Sequence, residues 1–315
     1  MGGSKLQRRS SDEHLAAQRF RWQFLTPRYW LLWLWFAVLW LVSQLPYCCV
    51  RAIGRAAGLV LFRVVPARRR VALRNLALCF PELSETERWH LAREHFASAG
   101  FTLFESGWVW WGSRKRFEAF FDIQGAEILE ALTGKPVLFF GLHNTCVEMA
   151  YAYLSLQRPL NVLFRVNNNP LWEYMATRSR SRYQVRLIPR KQVPEFIARL
   201  SAGEAGLIAA DQDLGRKRSL FVPFFGVEAA TVPSVHEFAR AACAQVVFAE
   251  AFRAGNGRYV VRLKLLQNFP SNDPLADTRT MNLCIEESVR RHPEQYLWMH
   301  KRFKTRPKGE ACFYQ

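Results

Sequence analysis

Pro136-Val-Leu-Phe-Phe-Gly-Leu-His-Asn-Thr-Cys-Val-Glu148 joins an apolar run to a histidine and, five residues later, a glutamate. A short, wholly apolar run closes on Gly141, and His143 follows almost at once. Such a run, apolar on both alternating faces, is the pattern of a strand buried inside a parallel sheet. Ligands and chemistry collect at the carboxyl ends of strands in sheets of this kind. His143 is therefore a candidate reacting group, and Glu148, in the first turn of the next predicted helix, is a candidate partner.

Working outward, short apolar runs alternate with helical segments over the whole second half of the chain. Strands are predicted at 136–141, 160–165, 184–188, 205–210, 244–252 and 258–265. Helices are predicted at 144–157, 170–181, 192–201, 232–243 and 277–291. That alternation predicts an α/β fold with a mostly parallel central sheet flanked by helices. The last two strands are expected to pair as a hairpin across Ala254-Gly-Asn-Gly257.

Two further strand ends carry polar residues. Arg165 closes one strand; Asn169 then offers an N-cap and Pro170 a first helical position. Arginine and amides there can face phosphate or carbonyl oxygens, while Asn169 also serves simply as a cap. Asp211 and Gln212 follow another strand, with Gly215, Arg216, Lys217 and Arg218 behind them. An acid at that strand end can reach a histidine on a neighbouring strand, so Asp211 competes with Glu148 for His143. The basic cluster reads either as an anion site or as a solvated loop. Phe221-Val-Pro-Phe-Phe-Gly226 reads as an apolar loop. With Phe139-Phe140, it offers material for a hydrocarbon groove.

The amino-terminal part has a different character. Residues 1–28 are polar and basic. Tyr29 to Val42 is then uninterrupted apolar sequence, rich in tryptophan, and extending it to residue 50 reaches the length of a membrane span. A transmembrane anchor is expected over 29–50. A helical membrane-proximal segment is expected over 51–112, its first part basic and amphipathic, suited to an anionic leaflet. A catalytic domain is expected over 113–315. Ser84 with Glu87 ahead of an apolar-periodic run is a capping-box signature, marking a helix start.

Lys and Arg number 44 against 26 Asp and Glu, a formal charge of +18, which points to an anionic partner. A nucleic-acid role would rest on that charge alone and is not expected beside a membrane anchor. The seven cysteines form no C-x-x-C pair and suit a reduced compartment. The sequence carries no metal-spaced cluster and no glycine-rich phosphate loop, so neither metal nor cofactor is expected.

A histidine with a carboxylate partner suits acyl transfer to a hydroxyl, with the imidazole as base and the carboxylate fixing its tautomer. Backbone N–H groups at the helix start after His143 are candidates for binding a developing oxyanion. Cys146 is a rival nucleophile, though a small cysteine in apolar surroundings is more often core.

Several stretches together resemble a known family. His143-Asn-Thr-Cys-Val-Glu148 is similar to the H-x-x-x-x-D/E motif of the lysophospholipid-acyltransferase superfamily. The ordered set resembles, more narrowly, the late lauroyl/myristoyl acyltransferases of lipid A biosynthesis. It comprises Asn75–Leu83, Arg165 with Asn169-Pro170, Asp211-Gln212 with Gly215, Phe221–Gly226, Ala230-Thr231 and Pro293–Lys304. The chain departs from the family at Arg165-Val-Asn-Asn-Asn-Pro170, where the family tends toward Arg-Pro with an acid before Asn-Pro. The resemblance implies a single-pass enzyme of the bacterial inner membrane, its catalytic domain on the cytoplasmic side among anionic lipids. It implies transfer of a fatty acyl chain from acyl-acyl carrier protein to a hydroxyacyl group of a lipid A precursor. His143 and Glu148 carry over as the catalytic pair, and Arg165 and Asp211 as active-site support. With Asp211 retained among the catalytic candidates, the substrate-binding candidates are Arg165, Asn169, Gln212, Gly215 and Arg216. The rival expectations are the same chemistry on a lysophospholipid, glycolipid or aminolipid, and a non-catalytic membrane-attached protein that binds anionic lipid.

Overall fold

The computed structural model describes residues 19–314 apart from Ser181 and Asn256; of the tail expected over 1–28, residues 1–18 lie outside the described residues. Among the described residues, two single-turn helices at Trp22–Leu25 and Pro27–Tyr29 lead into four longer ones: α1 (Trp30–Gln44), α2 (Tyr47–Val64), α3 (Pro66–Cys79) and α4 (Glu85–Trp111). A short α5 (Arg114–Glu118) leads into the sheet region, which begins with β1 (Phe121–Gln124), α6 (Ala126–Ala131), β2 (Val137–Gly141) and α7 (Val147–Gln157). It continues with β3 (Leu160–Phe164), α8 (Pro170–Arg180), β4 (Val185–Pro189), α9 (Val193–Ser201) and β5 (Ala205–Ala209). Then follow β6 (Leu220–Phe224), β7 (Val227–Thr231), α10 (Ser234–Ala242), β8 (Gln245–Arg253), β9 (Tyr259–Leu265) and α11 (Pro274–Arg291).

Seven strands form one sheet in the order β1-β9-β8-β2-β5-β3-β4, and β6 and β7 pair separately. Every pairing in the large sheet is parallel except that of β8 with β9, the expected hairpin. β2 lies near the centre because both its faces are apolar. Val137 and Phe139 join one core, and Leu138 and Phe140 join the core on the opposite face. Phe139, Phe140, Phe224 and Phe225 are all buried in these cores, so they serve packing rather than a hydrocarbon groove. The 221–226 stretch is not a loop: it forms β6 and its turn into β7.

The expected span over 29–50 is not one helix. α1 stops at Gln44 because Leu45 precedes Pro46 and is extended, at φ −73° and ψ 158°; a proline disfavours helical backbone in the residue before it. Its 15 residues reach about 22 Å at 1.5 Å per residue, short of a roughly 30 Å hydrocarbon core. Among the described residues, no helix is long and apolar enough to cross a membrane. One face of α1, with Phe36, Leu39 and Val42, is buried in the body, and the carbonyl of Leu39 lies against Gly107 of α4. Trp30, Leu31, Leu34, Trp40 and Leu41 remain exposed.

α4 organises the helical half. Its start is a complete capping box: the Glu87 N–H donates to Ser84 Oγ (3.3 Å), and the Ser84 N–H donates to Glu87 Oε2 (2.7 Å). α2 crosses it where Gly54, Gly58 and Gly100 meet, a contact that no side chain would permit. A Cβ on Gly100 would lie 2.0 Å from the Gly54 carbonyl oxygen.

Candidate active site

The sheet order lines up five strand ends, β8, β2, β5, β3 and β4, along one carboxyl edge. Gly141 of β2 is in register with Ala209 of β5, so two residues further on His143 comes level with Asp211. The contact is direct: His143 Nδ1 lies 2.6 Å from Asp211 Oδ1, and the His143 backbone N–H donates to both carboxylate oxygens at 3.1 and 3.0 Å. The Asp211 side chain is only 2% exposed, whereas that of His143 is 26% exposed. The acid is thus sealed behind an imidazole that still meets solvent.

Charge follows from this geometry. Burial opposes the imidazolium, but the Asp211 carboxylate outweighs it, and the His143 pKa is raised above the ordinary histidine value. Burial likewise opposes ionisation of Asp211, and the charge and hydrogen bonds of His143 still hold its pKa below the usual carboxylate range. The Tyr296 hydroxyl adds a hydrogen bond to Asp211.

Glu148 sits elsewhere. Its Oε2 accepts from Ser106 Oγ at 2.7 Å and its Oε1 from Trp110 Nε1 at 3.1 Å, both from α4. Neither bond reaches His143. The separation follows from the backbone: α7 starts only at Val147, and Glu148 in its first turn faces α4.

Three of the amides expected to form an oxyanion site are otherwise engaged. Thr145 N–H donates to the Gln295 carbonyl (2.8 Å), Cys146 N–H to Asn144 Oδ1 (3.2 Å) and Val147 N–H to the Asn144 carbonyl (3.4 Å). Cys146 is buried, and burial pushes its thiol pKa up to about 12, which removes the thiolate a nucleophile needs.

The other candidates fall around the same edge. Arg165 is exposed at the end of β3, two strands and about 10 Å from the β2 line at 4.7–4.9 Å per strand. Asn169 is the cap of α8, its Oδ1 accepting from the N–H groups of Leu171 (3.0 Å) and Trp172 (3.2 Å). Gln212 is half-buried beside Asp211. Gly215 has φ +92°, a conformation that favours glycine, and its N–H donates to Asp213 Oδ1 (2.9 Å). Arg216 lies over the Phe221 ring, with the Arg306 carbonyl 2.5 Å from its Nη2.

Four residues not singled out from the sequence also belong here. Arg190, exposed after β4, bears electrostatically on His143, and its position directly after a strand was the available signal. Tyr296, His300 and Arg302 come from the carboxyl-terminal segment. His300 lies within electrostatic reach of Asp211 and His143, and burial holds its pKa below the ordinary value. Arg302 is buried, donates to the Ala230 carbonyl and Thr231 Oγ1, and helps keep Asp211 ionised. A separate cavity of about 990 Å³, lined by Arg158, Asn161 and Glu204, opens at the amino ends of β3 and β5, the far side of the sheet from His143.

An imidazole backed by a buried carboxylate, on adjacent strand ends of a parallel α/β sheet, is an arrangement built for proton transfer. Comparison with known proteins gives the class a name. Residues 17–305 match the family model described as bacterial lipid A biosynthesis acyltransferase, and the chain belongs to that family. It is 36% identical over 301 residues to the lipid A biosynthesis palmitoleoyltransferase of Escherichia coli K12, covering 94% of this chain and 98% of that protein. The lauroyltransferase of the same organism is 35% identical over 301 residues, with the same coverage. Its myristoyltransferase is 32% identical over 305 residues, covering 93% of this chain and 92% of that protein. The chain is accordingly an O-acyltransferase of the late lipid A type.

Proposed function

We propose that this acyltransferase moves a fatty acyl chain from acyl-acyl carrier protein to a hydroxyacyl group of a lipid A precursor, with His143 as general base and Asp211 as its partner. The observation that carries the reading is the 2.6 Å contact between a solvent-reached imidazole and a sealed carboxylate. Asp211 holds the proton on Nδ1, which leaves the Nε2 lone pair to take the acceptor hydroxyl proton. The oxygen then attacks the thioester carbonyl. Collapse of the tetrahedral adduct breaks the C–S bond, and the imidazolium returns its proton to the departing thiolate. With the Thr145, Cys146 and Val147 amides engaged, the developing oxyanion is assigned to cationic groups of the strand-end rim, Arg190 foremost. Arg165, Gln212 and Arg216 are assigned to binding the anionic donor or acceptor. Gly215 shapes their loop and Asn169 the start of α8. Glu148 is assigned to the wall between α4 and α7.

Attachment to the inner membrane, on its cytoplasmic side, is part of the same proposal. It rests on the exposed Trp30, Leu31, Leu34 and Leu41 of α1, with exposed Arg28 and Arg51 nearby to meet anionic headgroups.

The test is direct. Purified full-length protein is given acyl-acyl carrier protein and a lipid A precursor bearing free hydroxyacyl chains, and products are read by mass spectrometry. One added acyl chain with wild type, and none with His143→Ala of unchanged thermal stability, is the expected result. Undiminished transfer by His143→Ala, or acylation of lysophospholipid in preference to the lipid A precursor, overturns the proposal.

A further inference from the structure

Asp211 approaches the His143 turn from β5; on the opposite side of β2, the turn is gripped by a buried arginine. Arg253 is the last residue of β8, and its guanidinium uses all five N–H groups. Two form a fork with Glu105 of α4, at 2.8 Å from Nε to Oε1 and 3.0 Å from Nη2 to Oε2. Two go from Nη1 to Ser98 Oγ (2.8 Å) and Thr145 Oγ1 (2.9 Å), and the fifth goes to the Thr145 backbone carbonyl. The Tyr259 hydroxyl donates to Glu105 and completes its surroundings. The backbone of Arg253 acts as well: its N–H and carbonyl clasp the Gln295 amide at 2.8 and 3.0 Å, and the Gln295 carbonyl accepts from Thr145 N–H. Thr145 stands two residues after His143 and is thus held at its carbonyl, hydroxyl and N–H.

A buried ion pair adds little net stability over well-packed apolar residues of the same size. What a planar fork with fixed donors supplies is geometry. A displacement on the order of 1 Å at a reacting group can lower turnover about a hundredfold. We propose that Arg253, itself oriented by Glu105, is a positioning residue that fixes the His143–Cys146 turn against the sheet edge. Its activity readout rests on the acyl-transfer reading given above; its structural readout does not.

Arg253→Lys keeps a cation beside Glu105 but cannot also fork to Thr145. It is expected to lower kcat about 10- to 100-fold, with KM for both substrates within about twofold and the pH profile unmoved, because the His143–Asp211 contact is intact. Hydrogen exchange of the peptide spanning 140–148 is expected to quicken while protection elsewhere is kept, and this arm needs no substrate. The double variant Arg253→Met with Glu105→Leu replaces the pair by apolar groups. It is expected to melt no lower than wild type and still to lose at least about tenfold in kcat. Wild-type kcat in either variant overturns the proposal, as does a loss of exchange protection spread evenly over the molecule. If wild type shows no transfer, the assigned reaction fails, while the exchange measurement still decides whether Arg253 holds the turn.

Discussion

At the scale of single residues, a small number of side chains decide the chemistry. His143 and Asp211 were both legible, because each follows an apolar strand and strand ends in parallel sheets gather functional groups. The choice between Asp211 and Glu148 was not legible. It depends on β2 lying beside β5, a pairing between segments 68 positions apart in the chain. Arg190 carries the same strand-end signal, but Tyr296, His300 and Arg302 reach the site through still more distant contacts, so local pattern gives those three no role. Cys146 shows the opposite case, a residue three positions from the histidine that the fold withdraws into the core. Cys146→Ala is expected to keep kcat within about twofold and to cost about 1 kcal/mol of stability for the small void. Intact-protein mass spectrometry during turnover is expected to find no acyl adduct; a stoichiometric adduct that vanishes in the variant would instead make the thiol a nucleophile.

At the scale of elements, the strands from β2 to β5 and the β8–β9 hairpin could be placed to within about a residue or two, since buried strands and their glycine and proline boundaries are local signals. The capping box at Ser84 was legible for the same reason. β6 and β7 were not, because Pro223 and the Phe225-Gly226 turn read as loop, and their pairing lies outside the main sheet. β1 is only four residues long and gains its place by pairing with β9, near the far end of the sequence. The break of α1 at Leu45-Pro46 is a local effect that overall hydrophobicity conceals. The α2–α4 crossing is more exacting still, since Gly54, Gly58 and Gly100 meet backbone to backbone. Gly100→Ala is expected to destabilise the protein by at least about 1–3 kcal/mol, because the Cβ must displace the main chain of α2. Denaturant titration should show a lower midpoint at unchanged slope; an unchanged midpoint would mean that the helices are not in this close contact.

At the scale of the whole molecule, a basic chain presents an apolar strip on α1 and a carboxyl edge rimmed by Arg165, Arg190 and Arg216. Both features suit a lipid surface with anionic headgroups. Leu31→Glu with Leu34→Glu is expected to weaken binding to anionic vesicles by at least about tenfold in flotation, since a large apolar side chain contributes roughly 1.5–3 kcal/mol on full burial. The fold should be unchanged, because both side chains point away from the core; undiminished flotation would move the membrane contact elsewhere. The class of fold and the basic surface were plain from the sequence, whereas the absence of a spanning helix among the described residues follows from the break at Leu45-Pro46, which overall hydrophobicity conceals. The tuning of His143 as the base by Asp211 can be read from the pH dependence of kcat in wild type, Asp211→Asn and Glu148→Gln. Wild-type turnover should rise with pH through a midpoint above the ordinary histidine value of 6.5, since only the neutral imidazole accepts a proton and Asp211 favours the charged form. Removing that carboxylate leaves burial unopposed. Asp211→Asn should therefore shift the midpoint downward and lower the plateau about 10²- to 10⁴-fold, while Glu148→Gln leaves the midpoint in place. A midpoint that moves in Glu148→Gln and stays fixed in Asp211→Asn would make Glu148, not Asp211, the partner of His143.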